Sequence, residues 1–134
     1  SGSAPRCSLR KKVEDAIELT KNNTRIDVIL AFNYGGRDEI ICAVKKLIAE
    51  GTPVEEIDVE RLSAAMFTAG IPDPDVVIRT SGEKRTSNFL TWQTVYSEWF
   101  FPEVYWPNFD EDDLHQVLQE YAKRDRRFGG LSKK

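Results

Sequence analysis

The stretch Val76-Val77-Ile78-Arg79-Thr80-Ser81-Gly82-Glu83-Lys84-Arg85-Thr86-Ser87-Asn88 decides how this chain is read. Three β-favouring residues lead into a polar loop holding Arg79, Ser81, Glu83, Lys84, Arg85 and Ser87. Phe89-Leu90-Thr91-Trp92 follows and can start a helix. A strand end, a basic loop and a helix start together suit an anion, because helix-terminal N–H groups and converging Arg side chains both favour phosphate. That reading makes the loop a diphosphate pocket. Taken by itself, the loop reads equally well as a solvated run of Arg/Glu pairs, which are common and contribute little.

Upstream, the pattern is α/β. A helix is expected over about Ser8 to Asn22, with Leu9, Val13, Ala16, Ile17 and Thr20 on one face. Ile26 to Phe32 reads as a strand, and its apolar half, Val28 to Phe32, suits a strand covered on both faces in a parallel sheet. Asn33-Tyr34-Gly35-Gly36-Arg37-Asp38 turns the chain into a second helix with Ile40, Ile41, Val44, Leu47 and Ile48 inward and Gly51 closing it. Asp58 is a fair N-cap for a third helix through about Ala69, with Leu62, Ala65, Met66 and Ala69 as its stripe. Asp75 to Arg79 is the next strand, delivering the Arg-rich loop at its C-terminal end, where open α/β sheets place their ligands. Alternating strands and helices imply parallel crossovers.

Downstream, Asn88 to about Ser97 is expected to be helical. Trp99-Phe100-Phe101-Pro102-Glu103-Val104-Tyr105-Trp106-Pro107 follows with five aromatics in nine positions, a density that marks either a subunit interface or core. The last helix, about Phe109 to Phe128, carries Leu114, Val117, Leu118, Tyr121 and Ala122 inward. It starts on Asp110-Glu111-Asp112-Asp113 and ends on Lys123, Arg124, Arg126 and Arg127, which complements the helix dipole. His115 lies off the apolar stripe and reads as an exposed histidine without ligand companions.

Composition bounds the function. With 134 residues, 40% hydrophobic and 31% charged, the chain fits one domain with a modest core. A net charge of −3 offers no general attraction to nucleic acid or anionic lipid, so any anion binding is local. Cys7 and Cys42 form no metal or disulfide pattern, which fits a reducing, cytoplasmic setting. No apolar run is long enough to span a bilayer. Residues 1–7 read as a tag remnant or lead, 8–130 as the domain and 131–134 as a tail.

Several motifs in combination are similar to the cis-prenyltransferases, the undecaprenyl diphosphate synthase family. They are Asn33-Tyr34-Gly35-Gly36-Arg37, Arg79 through Phe89, Trp92-Gln93, Tyr96, Glu98, Trp106-Pro107 and Arg126-Arg127-Phe128-Gly129-Gly130. The resemblance implies the C-terminal part of that family's α/β fold, a mainly parallel sheet flanked by helices. It also implies condensation of isopentenyl diphosphate with an allylic diphosphate to a cis-polyprenyl diphosphate, a Mg2+ requirement, a homodimer, and membrane contact through the product only. Position by position, Arg79, Arg85, Thr86 and Ser87 would hold isopentenyl diphosphate and Glu98 would contact magnesium. Arg127 and Gly129 would help complete a site across the dimer. For Glu98 taken singly, a helix-end surface carboxylate is the plain alternative, and Arg37 is a weaker candidate for phosphate.

The family's Asp-Gly-Asn-Gly-Arg-Trp loop is absent from these 134 residues. The resemblance therefore covers a C-terminal half, no catalytic residue is assigned, and the chain alone is expected to lack turnover. Two other readings stay open: a non-catalytic partner subunit of a heteromeric enzyme, and an unrelated anion-binding α/β domain. Loss of sheet neighbours should leave a strand edge and a helix face uncovered, which favours association.

Overall fold

A computed structural model describes residues 5–124, with side chains from residue 9 onward. It divides into two compact units, Ser1–Phe32 and Asn33–Lys134. The first contains α1, Pro5–Thr20, followed by a stretch without regular structure. The expected strand over Ile26 to Phe32 does not form: Ile26, Val28, Ile29, Leu30 and Phe32 are all exposed and no strand is assigned there. The reason is backbone bookkeeping, since an extended segment becomes a strand only when a neighbour takes up its N–H and C=O groups. β-Propensity does not substitute for that neighbour. The apolar residues Leu9 and Ile17 of α1 are exposed as well.

In the second unit, α2 spans Gly36–Ala49, α3 Val59–Ala65 and α4 Glu111–Lys123, with 3-10 turns at Val54–Glu56 and Trp106–Asn108. β1, Val76–Ile78, pairs in parallel with β2, Glu98–Phe100, in the register Val76 to Glu98, Val77 to Trp99 and Ile78 to Phe100. The α/β class with parallel pairing is therefore present, carried by a two-stranded sheet.

The helix ends follow from local chemistry. Asp58 caps α3 by accepting from the Arg61 amide at 2.7 Å. Asp110 caps α4, accepting from Asp112 and Asp113, while the Asp113 carboxylate accepts from the Asp110 amide, a reciprocal capping box. α3 stops at Ala65 rather than near Ala69, because the amides of Met66, Ala69 and Ile71 turn to carbonyls three residues back.

The core sits between α2 and α3. Ala43, Leu47, Ala65 and Met66 form it, with Ile40, Leu62 and Trp92 packed against it. The buried line of α2 is Gly36, Glu39, Ala43 and Leu47. This corrects the expected apolar stripe, since Ile41, Val44 and Ile48 face outward. A glutamate and an alanine, four residues apart, hold the inward positions that periodicity assigned to isoleucine and valine.

The helix expected over Asn88 to Ser97 is also corrected: residues 91–96 form consecutive turns. Ser87, Asn88 and Leu90 all have positive φ, at 48°, 64° and 45°. Each left-handed residue costs about 1–2 kcal/mol and cannot continue a right-handed helix. The aromatic run divides by burial: Phe100 is buried in β2 and Trp99 stacks with Phe101, whereas Tyr105 and Trp106 are exposed. The core alternative therefore holds for Phe100, while Tyr105 and Trp106 lie on the surface.

Candidate functional site

β1 ends at Ile78, and the ladder extends one step further because the Arg79 amide donates to the Phe100 carbonyl at 2.9 Å. That bond sets Arg79 at the C-terminal end of the parallel pair. The Ser81 amide then donates to Val104 and the Gly82 amide to Pro102, so the start of the loop is tied to the segment after β2. Gly82 occupies the left-handed region at φ 64°.

Arg79 Nη1 reaches across this loop. It donates to the carbonyl of Arg85 at 2.6 Å and to the Ser87 hydroxyl at 2.9 Å. The loop therefore brings the Arg79 guanidinium to the Arg85 backbone and the Ser87 hydroxyl, with Thr86 exposed between them. The Arg85 guanidinium pairs with Glu83, and both side chains are substantially exposed. Such a pair contributes at most about 1 kcal/mol. A doubly charged ligand competes well against it, because each charge-assisted bond to phosphate contributes roughly 1.5–3 kcal/mol.

A helix N-terminus does adjoin the loop, but it belongs to α2 and it is already occupied. Gly35, the N-cap of α2, has no side chain to cap with. Asn88 takes that role from 51 residues away: its carbonyl accepts from the Gly36 amide at 2.7 Å and its Oδ1 accepts from the Arg37 amide at 2.9 Å. Both glycines serve this approach through their size. A Cβ on Gly35 would lie 2.9 Å from Asn88 Nδ2, and one on Gly36 would meet Thr91, including its amide nitrogen at 2.9 Å. Since φ at Gly35 is −148°, left-handed freedom is not what that residue supplies. The first amides of α2 thus serve Asn88 rather than an anion, and no helix starts at Asn88 to supply others.

Glu98 is placed elsewhere. It lies at the N-terminal end of β2 opposite Val76, three residues along from the level of Arg79, or roughly 10 Å at strand rise. Its Oε2 accepts from Arg124 Nη1 at 2.5 Å, and the Arg124 guanidinium sits 4.1 Å from the centre of the Phe100 ring. Within the described residues the structure does not join Glu98 to the Arg79–Ser87 cluster. Nor do those residues contain any group of three His, Cys, Asp or Glu able to hold a metal. One carboxylate already engaged by a guanidinium does not fit a closed magnesium site. Arg127 and Gly129 lie outside the described residues.

Beneath the loop lies a buried polar network that sequence reasoning missed. Glu39 is fully buried and receives three donors: the Tyr34 hydroxyl and Gln93 Nε2 (3.0 Å) on Oε2, and the Phe67 amide (2.9 Å) on Oε1. Donors without acceptors are the complement of a carboxylate. Gln93 Nε2 also donates to Thr68 Oγ1 at 2.9 Å. Burial, reinforced by the Glu39 carboxyl, pushes the Tyr34 phenol well above its ordinary range. Tyr34 also meets Phe89 edge to face at 5.8 Å. The available signal was spacing: Glu39, Ala43 and Leu47 recur every four residues, the period of a single buried line on a helix.

Among the described residues no helix is long and apolar enough to cross a membrane. A family model described as "Putative undecaprenyl diphosphate synthase" matches residues 3–129. The isoprenyl transferase of Agrobacterium fabrum is 46% identical over 128 residues, covering 92% of this chain and 52% of the relative. Isoprenyl transferase 2 of Bradyrhizobium diazoefficiens is 49% identical, covering 93% and 50%. The chain spans about half the length of the curated relatives it matches. In three dimensions it is similar to lavandulyl diphosphate synthase from Lavandula x intermedia, crystallised with dimethylallyl diphosphate. There the TM-score is 0.85 and the identity 34%, with 96% of this chain and 58% of that one covered. A "probable undecaprenyl diphosphate synthase" from Campylobacter jejuni gives a TM-score of 0.79 at 34% identity, covering 95% and 59%. With nearly the whole sequence matched by the family model and the fold shared with these structures, the chain belongs to the undecaprenyl diphosphate synthase family of cis-prenyltransferases.

Proposed function

We infer that this chain supplies the isopentenyl diphosphate half-site of a cis-prenyltransferase, in which isopentenyl diphosphate condenses with an allylic diphosphate. The observation that carries the reading is the Arg79 guanidinium bonded to the Ser87 hydroxyl and the Arg85 carbonyl in one loop at a parallel strand end. The loop presents two guanidinium groups and two hydroxyls, from Thr86 and Ser87, where a diphosphate can exchange the weak Glu83 pair of Arg85 for stronger bonds. A guanidinium carries five N–H donors, so Arg79 can serve the same diphosphate without giving up its bond to Ser87.

In the assembled enzyme these residues bind and orient the acceptor substrate, holding its diphosphate while the double bond attacks the allylic carbon, the allylic C–O bond breaks to release that substrate's diphosphate, and the acceptor loses a proton. The attack becomes effectively intramolecular, and positioning of that kind supplies much of a condensation's acceleration. Magnesium, by family, belongs to the complete enzyme, whereas Glu98 of this chain is engaged by Arg124. The isolated chain is expected to bind without turning over. Exposed Tyr105 and Trp106 support association, with a homodimer as the expected form. A cytoplasmic protein touching membrane only through its product is the matching setting.

Calorimetric titration tests the reading. Isopentenyl diphosphate is expected to bind the wild-type chain, and Arg85→Ala to weaken it roughly tenfold or more, the loss of one charge-assisted contact. A chain that shows no heat of binding at millimolar ligand is the result expected of a non-catalytic partner subunit, and it would remove the half-site reading.

A further inference from the structure

We propose that Asn88 is the positioning residue of the Arg79–Ser87 loop, fastening it to the start of α2. The inference rests on the half-site reading above for its ligand and on independent geometry for its mechanism. Ser87 and Asn88 are consecutive residues in the left-handed region, so the chain reverses abruptly just where the Ser87 hydroxyl must meet Arg79. Such a kink persists only where its surroundings hold it.

Two bonds from Asn88 hold it, the carbonyl on Gly36 N–H and Oδ1 on Arg37 N–H. They are the acceptors that a helix N-terminus otherwise draws from its own cap residue. Gly35 provides none, so the helix and the loop satisfy each other: α2 lacks a cap without Asn88, and the Ser87–Asn88 kink lacks an anchor without α2. The rigidity of α2 comes in turn from Glu39, one turn further along, through its bonds to Tyr34, Phe67 and Gln93. Asn88 touches no substrate in this account. It acts by fixing where the Ser87 hydroxyl and the Arg79 guanidinium sit.

The residue type matches the duty. Asparagine tolerates a left-handed backbone better than other residues with a side chain, and its amide oxygen is a good cap acceptor. Only glycine and aspartate come close, each supplying part of the requirement, which makes them informative replacements.

The test uses the whole chain and two readouts, amide hydrogen exchange at Arg37 and calorimetric titration with isopentenyl diphosphate. Asn88→Gly keeps the left-handed backbone and the carbonyl bond and removes the side-chain amide with its Oδ1. It is expected to speed exchange at the Arg37 amide and to weaken isopentenyl diphosphate binding roughly three- to tenfold, the span of one lost hydrogen bond. Asn88→Asp restores an oxygen acceptor at the same place and is expected to return slow exchange at Arg37. If Asn88→Gly binds isopentenyl diphosphate as tightly as wild type, the positioning role is overturned while the half-site reading stands. If wild type binds none, yet Asn88→Gly still speeds exchange at Arg37 and through residues 79–87, the tether stands and the half-site reading falls. Unchanged exchange at Arg37 in Asn88→Gly overturns the tether outright.

Discussion

Replacing Glu39 with methionine tests how this small core is held together. The substitution keeps an unbranched, helix-favouring side chain of similar length and removes both carboxylate oxygens, leaving three donors to find other partners. The Phe67 amide loses the carboxylate oxygen that accepts from it, at about 1–2 kcal/mol. The Tyr34 hydroxyl, half-buried, can turn toward water, and Gln93 Nε2 keeps Thr68 Oγ1, so each of these losses is nearer 0.5–1 kcal/mol. The sum is about 2–4 kcal/mol, a large share of the 5–15 kcal/mol that holds a domain folded. In urea, with a slope of roughly 1.5 kcal/mol/M, a loss of about 3 kcal/mol lowers the unfolding midpoint by about 2 M without changing the slope. Glu39→Gln should fall between the two. Gln93 can reverse its amide and bring its Oε1, now buried without a partner, to the new NH2 group. An equilibrium unfolding curve for Glu39→Met within 0.5 kcal/mol of wild type would refute the reasoning. It would mean that the three bonds return no more than the desolvation of the carboxylate costs.

Two further outcomes are expected. Asp110→Ala removes the side-chain half of the capping box at α4, the carboxylate that accepts from the Asp112 and Asp113 amides, and should cost about 1 kcal/mol, read as a lower midpoint in the same denaturation assay. Tyr34 has its phenol pKa raised in the folded chain, so its contribution to stability is complete below the unfolded value of 10.0 and is lost as pH rises beyond it. Unfolding free energy measured between pH 8 and 11 should therefore fall at the alkaline end, and Tyr34→Phe should flatten that fall while lowering stability near neutrality. An unaltered alkaline slope in Tyr34→Phe would assign the titration to other groups.

The exposed apolar surface takes its meaning from the family relationship. Ile26 to Phe32 is among the most strand-like segments in composition, and it is left without regular structure and uncovered. The two-stranded parallel sheet is likewise below the three or more strands that a sheet ordinarily needs for independent stability. The relatives are about twice as long, and partner surface of that kind is what such segments require.

Local chemistry carried much of the reading. Asp58 announced the start of α3, because a cap is a bond between near neighbours in sequence and needs nothing from the rest of the chain. Asp110 reads from sequence only as part of the first turn's charge, and its cap bond shows in the structure. Val76 to Ile78 announced β1, and the Arg79 to Ser87 loop announced a cluster of cations and hydroxyls beyond it, with the family motifs legible in the same residues. The tertiary structure alone decided which α2 residues face inward: donors from Tyr34, Phe67 and Gln93 hold Glu39 in, and Ala65 and Met66 pack with Ala43, while the more apolar Ile41 and Val44 are exposed. It also decided that Ile26 to Phe32 stays unpaired and that Phe89 to Ser97 turns instead of coiling. The cap on α2 comes from Asn88, and a bond between residues 51 apart leaves no periodic trace in sequence. Periodicity reports what a segment prefers, whereas hydrogen-bond partners and packing space come from distant parts of the chain and determine which preferences are realised.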